Sequence, residues 1–258
     1  MKHILVCIKA VPAAASVRVD GEYRLKRDGA VLQWNIADEA ALEAALCLKD
    51  RDGTVTVVTM GPGQLEAPLK ELLARGADRA VLITDRCMAG ADTRATAAVL
   101  KAAAETLGPL DLILCGRRAI DGETGQVPGQ LAAALGLACV SSVEAIRREA
   151  DGLTLQRRLE DGVQTLHART PLVVSICEYA LQLRLPGILS LRKAKDKAVE
   201  LYDAAALGLR PEDCGQKGSL TRVTAMETRF PGMRKGPRER DPAAGAAELL
   251  RMIREVQP

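Results

Sequence analysis

The sequence contains few aromatic residues: one Phe, one Trp and three Tyr among 258 residues, or 2%. Proteins that bind single-stranded nucleic acid stack the bases on aromatic rings, so this chain has almost none of the surface that such binding needs. The charge is also nearly balanced, because 36 Lys and Arg oppose 33 Asp and Glu, for a net charge of +3. We therefore expect no nucleic-acid partner and no general attraction to a membrane surface.

The seven cysteines lie far apart along the chain, because no two occur within four residues of each other. This spacing excludes the usual zinc and iron–sulfur patterns, and we predict no metal site. The apolar neighbours of Cys7, Cys115 and Cys177 indicate buried, reduced thiols in a cytoplasmic protein. The first predicted strand starts at His3 and no run of 18 apolar residues occurs, so we expect neither a signal peptide nor a membrane span.

Apolar runs of strand length alternate with helical patterns through the first half of the chain. The predicted strands are His3 to Ile8, Thr54 to Thr59, Ala80 to Thr84 and Leu110 to Cys115. The predicted helices start after Asn35 and run over Leu65 to Arg75, from Asp92 to about Leu107, and over Val127 to Leu135. Between the first strand and Asn35, Asp20-Gly21 and Asp28-Gly29 predict turns. The alternation predicts an α/β fold with a Rossmann-like parallel sheet flanked by helices, in which ligands bind beyond the carboxyl ends of the strands.

The most informative segment is the Gly-rich loop from Cys115 to Gln126, which follows a predicted strand and precedes a predicted helix. The N–H groups and the positive dipole end of a helix start favour an anion at such a place. Glycines let a ligand approach the backbone closely, and Arg117 and Arg118 can add charged contacts. We predict a nucleotide phosphate site here, with solvated surface charges as the alternative role of the two arginines.

A different pattern begins at Ala138. Three segments separated by Asp-Gly pairs predict an antiparallel meander: Val140 to Arg147, Leu153 to Leu159 and Val163 to Ala168. A buried strand from Leu172 to Ile176 follows, residues 178–240 lack clear periodicity, and Asp241 to Val256 forms an amphipathic helix. So long an irregular tail indicates contact with a partner subunit. We therefore predict a nucleotide-binding α/β domain over residues 1–177, and over residues 178–258 a recognition loop and a long C-terminal arm that wraps the partner.

Seven short segments, taken in their order and spacing, resemble the β subunit of electron transfer flavoprotein over nearly the whole chain. They are Ile4 to Lys9 with Val11-Pro12; Asn35 with Asp38-Glu39-Ala40 and Glu43; Met60-Gly61-Pro62; Arg75 to Arg79; Gly116 with Ala119 to Gly122; Leu185 to Ile188; and Lys217 to Ser219 with Thr221 to Val223. The resemblance implies an adenine-nucleotide-hydrolase-like form of the Rossmann fold. It also implies a heterodimer with an α subunit, which carries an FAD close to the β subunit.

The same resemblance implies an adenine nucleotide in this chain and the residues that bind it. They are Cys7, Asn35, Ile36, Ala37, Asp38, Met60, Gly116, Arg117, Arg118, Ala119, Ile120, Asp121, Gly122, Glu123, Thr124, Gly125, Gln126 and Val127. No residue is assigned a catalytic role. Asn35 caps its own helix or binds the nucleotide. Asp121 is a turn residue or a ribose contact rather than a general base, because no His or paired carboxylate accompanies it in the local sequence.

The segment from Asp121 to Val127 bears on which nucleotide is bound. Simpler members of the family hold AMP in the β subunit, whereas electron-bifurcating members hold a second FAD there. The segment resembles the Asp-Gly-Asp-Thr-Ala-Gln-Val of the bifurcating group, which implies FAD, with AMP as the alternative. A bifurcating member takes electrons from NADH and passes one to ferredoxin or flavodoxin and one to an acyl-CoA-type or other flavin dehydrogenase.

Leu185-Pro186-Gly187 resembles the recognition loop of the family, whose leucine enters an apolar pocket on the partner dehydrogenase. The preceding residues, Glu178 to Leu183, depart from the family pattern, because its Arg and Tyr are missing here. This departure leaves the identity of the dehydrogenase open. A local core contact is the alternative role of Leu185.

Two other classes of function compete with electron transfer. A stand-alone adenine-nucleotide-binding regulatory protein would need neither an α subunit nor a long irregular tail. An adenylating or ATP-hydrolysing enzyme is weakly supported, because the chain lacks a Gly-x-x-x-x-Gly-Lys-[Ser/Thr] loop. Expression with and without the neighbouring reading frame separates these classes from an electron-transfer subunit.

Overall fold

The structure is a computed structural model that describes residues 1–13, 18–19, 25–26, 31–181, 184–224 and 241–256. It divides into two compact units, Met1–Thr224 and Ala225–Pro258. The first unit therefore extends beyond the predicted domain boundary at residue 177. The assignment of residues 178–258 to partner binding stays a prediction.

Between residues 36 and 135, helices and strands alternate as the sequence predicts. The strands are β1 (His3–Cys7), β2 (Ala10–Pro12), β3 (Arg18–Val19), β4 (Leu25–Lys26), β5 (Leu32–Trp34), β6 (Thr54–Met60), β7 (Arg79–Ile83), β8 (Leu112–Gly116), β9 (Ala138–Glu149), β10 (Gly152–Leu159), β11 (Gly162–Ala168), β12 (Leu172–Ile176) and β13 (Glu200–Tyr202). The helices are α1 (Ile36–Leu48), α2 (Glu66–Arg75), α3 (Thr93–Thr106), α4 (Val127–Leu135), α5 (Ile188–Lys195), α6 (Gly215–Gly218) and, in the second unit, α7 (Pro242–Val256).

One sheet of nine strands organises the first unit, in the order β11-β10-β9-β12-β8-β1-β6-β7-β13. Seven neighbouring strands pair in parallel, in the spatial order β9-β12-β8-β1-β6-β7-β13. The strands β11, β10 and β9 pair antiparallel and form the predicted meander. The predicted α/β fold is therefore confirmed, and β9 belongs to both parts of the sheet. Two short antiparallel pairs, β2 with β5 and β3 with β4, are separate from it.

Helices cover both faces of the parallel part of the sheet. Ile4 and Val6 of β1 point to a core shared with α1 and α2, whereas Leu5 and Cys7 point to a second core shared with α3 and α4. Successive residues of the strand are therefore buried on opposite faces, which explains its continuous apolar sequence. Full burial of each large aliphatic side chain in these strands contributes about 1.5–3 kcal/mol to stability.

Local signals in the sequence set two of the helix ends. The Asp92 carboxylate accepts a hydrogen bond of 2.9 Å from the backbone N–H of Ala95 and thereby caps α3. Gly76 ends α2 with a φ of 122°, a conformation that residues with side chains avoid. Both ends were predicted from the sequence and are confirmed.

Part of the segment that lacks sequence periodicity is nevertheless regular. Helix α5 packs against α2, and β13 extends the sheet beside β7. Arg79 holds β13 through two hydrogen bonds of 2.8 Å to the Glu200 carboxylate. Periodicity did not predict these short elements, because their stability comes from tertiary packing. The predicted turns at Asp20-Gly21 and Asp28-Gly29, and also residues 182–183 and 225–240, lie outside the described residues.

The second unit contains α7, and the predicted amphipathic helix is confirmed. Asp241 caps this helix, because its carboxylate accepts hydrogen bonds of 3.2 and 3.3 Å from the N–H groups of Ala243 and Ala244. Four apolar side chains in its C-terminal half are each about half exposed: Leu249, Leu250, Met252 and Ile253. Within the part of the chain that the structure describes, no helix has the length and hydropathy that crossing a membrane requires.

The thiols are free at all seven cysteines. Cys7 and Cys115 are buried, as predicted, whereas Cys177 is only partly buried because it follows the last residue of β12 and lies outside the sheet. A hydrogen bond with Cys7, together with burial, raises the pKa of Cys115 well above its usual value. Cys115 is therefore a neutral core thiol at physiological pH.

Candidate functional site

The parallel strands have a switch point between β1 and β8. The chain runs from β1 to β6 and β7 in one direction across the sheet and then returns to β8 on the other side of β1. The connections leave such a point in opposite directions, and a crevice opens beyond the carboxyl ends of the two strands. Cys7 and Cys115 lie there in register, and Met60 ends the neighbouring strand β6. The ends of β8, β1 and β6, which carry the predicted binding residues Gly116, Cys7 and Met60, are therefore adjacent in the sheet.

The Asp38 carboxylate joins the ends of β1 and β8. Its Oδ2 accepts a hydrogen bond of 2.8 Å from the backbone N–H of Lys9, and its Oδ1 accepts one of 2.9 Å from that of Gly116. Burial raises the pKa of this carboxyl to about 7, although hydrogen bonds from Lys9, Asn35 and Gly116 oppose the shift. Asp38 is therefore a buried clamp at the base of the crevice, and its charge changes near neutral pH.

Asn35 holds the Gly-rich loop rather than its own helix. Its side chain makes no capping hydrogen bond to α1. Its Nδ2 donates a hydrogen bond of 3.0 Å to the carbonyl of Arg118, and its Oδ1 accepts one of 3.2 Å from the N–H of Ile120. Asn35 occupies the predicted N-cap position of α1, but its side chain does not cap the helix, because the fully buried amide bonds the loop instead. A direct contact between Asn35 and a nucleotide stays a prediction.

Lys9 ties a further part of the loop to β1. Its Nζ lies 2.7 Å from Oδ1 of Asp121, whose side chain is only 4% exposed. Next to this pair the chain turns sharply, since the N–H of Glu123 donates a hydrogen bond of 2.8 Å to the carbonyl of Ala119 and Glu123 has a φ of 50°. Asp121 therefore stabilises the turn, and a ribose contact by this residue stays a prediction.

Glu178 engages both arginines of the loop. The Nε and Nη2 of Arg117 donate to its carboxylate at 3.1 and 3.2 Å, and the Nε of Arg118 donates at 3.4 Å. Burial would raise the pKa of Glu178, but hydrogen bonds from its own backbone and from the two arginines outweigh this effect and lower it. The arginines are therefore not simply solvated, and an anion at this loop would share them with a carboxylate.

Glu178 and one other residue of the site are not among the residues that the sequence predicts for it. Glu178 follows β12 closely, and β12 pairs with β8 in the sheet. Recognition of this pairing would have placed Glu178 near the loop that follows β8. The other residue is Thr93, whose hydroxyl donates a hydrogen bond of 3.1 Å to the side-chain oxygen of Gln126. Only the packing of α3 on α4 brings these two residues together, and it places the first turns of both helices close to the end of the loop.

The predicted nucleotide-binding residues differ in their exposure. The buried ones are Cys7, Asn35, Ala37, Asp38 and Gly116. Those of intermediate exposure are Ile36, Met60, Arg117, Arg118, Ala119, Asp121 and Val127, and the exposed ones are Ile120, Gly122, Glu123, Thr124, Gly125 and Gln126. The buried set shapes the crevice from behind, and the exposed loop is the part that a ligand can contact.

These groups fit an adenine nucleotide. Exposed backbone N–H groups at the end of the loop, together with the dipole of α4, suit phosphate oxygens. The partly exposed apolar side chains of Ile36, Met60 and Val127 suit a planar base. At Gly122 a Cβ would meet no atom within 4 Å, so the protein leaves room beside the backbone. In the described ranges, no group of three side chains could hold a metal ion.

A cavity of 390 Å³ lies elsewhere, at the amino-terminal edge of the sheet. Its walls carry charges of both signs, and several of these charges are already paired. Asp50 binds the α-amino group of Met1 and also Arg148, and Lys2 binds Asp52. The crevice at the carboxyl ends is the better candidate site, because its loop carries groups that are not all used within the protein.

Replacement of Asp38 by Asn is expected to change how stability depends on pH. The folded-state pKa of about 7 lies above the ordinary value of 3.8, so the native state retains a proton that the unfolded state loses. The stability of the wild type must therefore fall as the pH rises between these values. Relative to Asp38→Asn, its free energy of unfolding should fall by about 3 kcal/mol from about pH 5 to about pH 8. Urea unfolding at both pH values tests this, and a constant difference would contradict it.

The chain is similar in sequence to proteins of one known family. Residues 24–207 match the family model described as the electron transfer flavoprotein domain. The chain is 41% identical over 229 residues to the electron transfer flavoprotein subunit beta of Thermoanaerobacterium thermosaccharolyticum, with 88% of both chains covered. It is 39% identical over 224 residues to the caffeyl-CoA reductase-Etf complex subunit CarD of Acetobacterium woodii, with 86% of both chains covered. It is also 41% identical over 232 residues to the protein FixA of Bradyrhizobium diazoefficiens, with 86% of this chain and 80% of that one covered.

Proposed function

The chain belongs to the electron transfer flavoprotein β subunits, and we propose that it binds an adenine nucleotide at the switch-point crevice, with FAD favoured over AMP. The observation that carries this proposal is the exposed loop over Gly122 to Gln126. It lies beyond the ends of β1 and β8 and leads directly into the first turn of α4. The segment from Asp121 to Val127 supports FAD through its likeness to bifurcating members of the family.

In this proposal the chain itself supplies binding and orientation, whereas a bound flavin supplies the redox chemistry. Asp38 and Asn35 fix the loop from behind, and Lys9 fixes Asp121. The start of α4 and the exposed backbone that leads into it would provide donors for phosphate oxygens. Arg117 and Arg118 balance the phosphate charge to the extent that Glu178 releases them.

The α subunit is the proposed permanent partner. Helix α7 supports this proposal, because Leu249, Leu250, Met252 and Ile253 leave an apolar stripe about half exposed. A second chain that covers the stripe would stabilise the complex by removing this surface from water. The FAD of the α subunit would then be the second redox group of the heterodimer.

A flavin dehydrogenase of the acyl-CoA type is the proposed electron-transfer partner. Leu185 is 85% exposed, so it is not the core contact that the sequence left open. Pro186 is partly buried and Gly187 is exposed, and Ile188 and Leu189 continue the apolar surface. The name of the relative from Acetobacterium woodii, a subunit of a caffeyl-CoA reductase complex, supports a dehydrogenase that acts on CoA thioesters.

We also propose that the heterodimer carries out electron bifurcation. NADH would be the electron donor, and ferredoxin or flavodoxin would take the low-potential electron. The likeness of the Gly-rich loop to that of bifurcating members supports the hypothesis of electron bifurcation. The alternative within the same family is a simpler carrier in which AMP occupies the crevice and only the α subunit holds a redox-active FAD.

The flavin content of the purified heterodimer tests the choice of nucleotide. We expect two FAD per heterodimer when this chain is expressed together with its α subunit, because each subunit would hold one. Flavin absorbance against protein mass, with chromatography of the extracted nucleotides, measures this ratio. One FAD together with one extractable AMP would establish the simpler carrier, and a crevice without any adenine nucleotide would overturn the proposal.

A stand-alone regulatory protein is the competing function from another class. It would purify as a stable, colourless chain without an α subunit. The family to which the chain belongs and the half-exposed stripe on α7 both favour a subunit of a complex instead. Gel filtration of the chain expressed alone and with the α subunit separates the two cases.

A further inference from the structure

Two groups of ion pairs anchor the described residues 178–181 and 184–187, which we call the recognition segment. At its start, Glu178 pairs with Arg117 and Arg118 of the Gly-rich loop. Immediately before Leu185, Arg184 pairs with Glu43 of α1. Both the loop and α1 contribute to the crevice. Glu178 and Arg184 therefore attach the recognition segment to two elements of the proposed nucleotide site.

The pair between Glu43 and Arg184 has a forked geometry. Nη2 of Arg184 lies 2.8 Å from Oε1 of Glu43, and Nε lies 2.9 Å from Oε2. The backbone N–H of Arg184 donates a third hydrogen bond, of 3.3 Å, to Oε2. Burial would raise the pKa of Glu43, but these hydrogen bonds from Arg184 outweigh it and lower the pKa. Two parallel bonds and a backbone bond restrict both the side chain and the backbone that leads into Leu185.

The described residues between these anchors point in two directions. Ala180 and Leu181 pack against the core that lies on the α1 face of the sheet. Tyr179 is 83% exposed and has a φ of 63°, which is unfavourable for a bulky residue and persists only where neighbouring contacts hold it. The exposed side chains of Tyr179 and Leu185 thus each follow a residue, Glu178 or Arg184, that is held by ion pairs.

We propose that Glu43 and Arg184 are positioning residues for dehydrogenase docking: their ion pair fixes Leu185 relative to the nucleotide crevice. The proposal rests on the proposed function, in which Leu185 contacts the dehydrogenase. A segment that is already ordered loses less conformational entropy when it binds, so removal of the pair should weaken docking without changing the redox step. Arg184 then acts through the segment rather than by contact with the partner.

The test uses the purified heterodimer with its flavins and a purified acyl-CoA dehydrogenase that reacts with the wild-type complex. We expect Arg184→Met to raise the KM for the dehydrogenase about fivefold to tenfold, with kcat and flavin content nearly unchanged. A double variant with the charges exchanged, Glu43→Arg with Arg184→Glu, should recover most of this loss. Arg192→Met is the matched control, since it removes an exposed positive charge from α5 and should leave KM unchanged.

A second measurement does not depend on the dehydrogenase. Hydrogen–deuterium exchange of the amides in residues 178–187 should be faster in Arg184→Met than in the wild type. Leu185→Ala should leave this exchange unchanged but raise the KM, because it removes the contact and not the anchor. Purified variants with full flavin content and the wild-type melting temperature show that neither change acts through unfolding.

The outcomes separate the two proposals. If Leu185→Ala raises the KM but Arg184→Met changes neither the KM nor the exchange, the positioning role is overturned and the docking role stands. If the charge-exchanged variant is as poor as Arg184→Met while its exchange is restored, Arg184 contacts the dehydrogenase directly and positioning is overturned. If Leu185→Ala leaves the KM unchanged, docking through this segment is itself overturned.

Discussion

Gly116→Ala should destabilise the protein by about 3–5 kcal/mol, which is a large part of the stability of an ordinary domain. A Cβ at this position would lie 2.2 Å from Oδ1 of Asp38, 2.7 Å from its backbone nitrogen and 2.8 Å from the carbonyl carbon of Ala37. These atoms belong to a buried carboxylate and to the first turn of α1, so they cannot move aside without breaking the clamp between β1 and β8. Urea unfolding of the purified variant measures the loss.

Gly129→Ala is the control for this substitution. Gly129 lies in α4, and a Cβ there would meet no atom within 4 Å. Because glycine is a poor helix former, this variant should be as stable as the wild type or more stable by up to about 1 kcal/mol. Equal unfolding midpoints for Gly116→Ala and Gly129→Ala would show that the crevice relaxes freely, which would contradict the role given to Asp38.

Gly122→Val should remove the nucleotide from this chain while the protein stays folded. A Cβ at Gly122 would meet no atom of the protein within 4 Å, and its φ lies outside the left-handed region that favours glycine. The protein therefore accepts the larger side chain, and the branched methyl groups occupy space that a nucleotide would use. We expect the FAD content of the heterodimer to fall from two to one, with occupancy of the crevice reduced more than about tenfold.

A graded series makes this prediction specific. Gly122→Ala should reduce nucleotide content less than Gly122→Val, because its side chain reaches less far into the crevice. The melting temperature without added nucleotide should be the same for both variants, which separates a blocked site from a damaged fold. Full nucleotide content in folded Gly122→Val would place the ligand away from this part of the loop.

The two glycines show what sequence reasoning could and could not supply. Gly116 ends β8 and Gly122 lies in the loop that follows, which the sequence identifies correctly as the connection between a strand and a helix. The sequence does not show that Gly116 lies in close contact with α1. It also does not show that the space beside Gly122 is open. The difference depends on which backbone lies opposite each residue, and that is decided by the packing of α1 across the ends of β1 and β8.

The sequence also does not determine which partners the polar side chains of the loop region bind, as Asn35, Arg117 and Arg118 show. Asn35 has the residue type and the position of a helix cap, yet its amide bonds the loop instead. The two arginines precede a helix start, as phosphate-binding residues do, yet Glu178 occupies them. Each polar group could be satisfied by several partners, and only the fold determines which one is within reach.

The order of strands and helices, the place of the Gly-rich loop and the amphipathic nature of α7 follow from the sequence alone. They depend on apolar periodicity, caps and glycines, which act over a few neighbouring residues. The tertiary structure decided the clamp by Asp38, the competition of Glu178 for the arginines, and the anchoring of Arg184 by Glu43. These contacts join residues that are 29 to 141 positions apart, so their formation depends on how the sheet and its helices pack and not on any local preference.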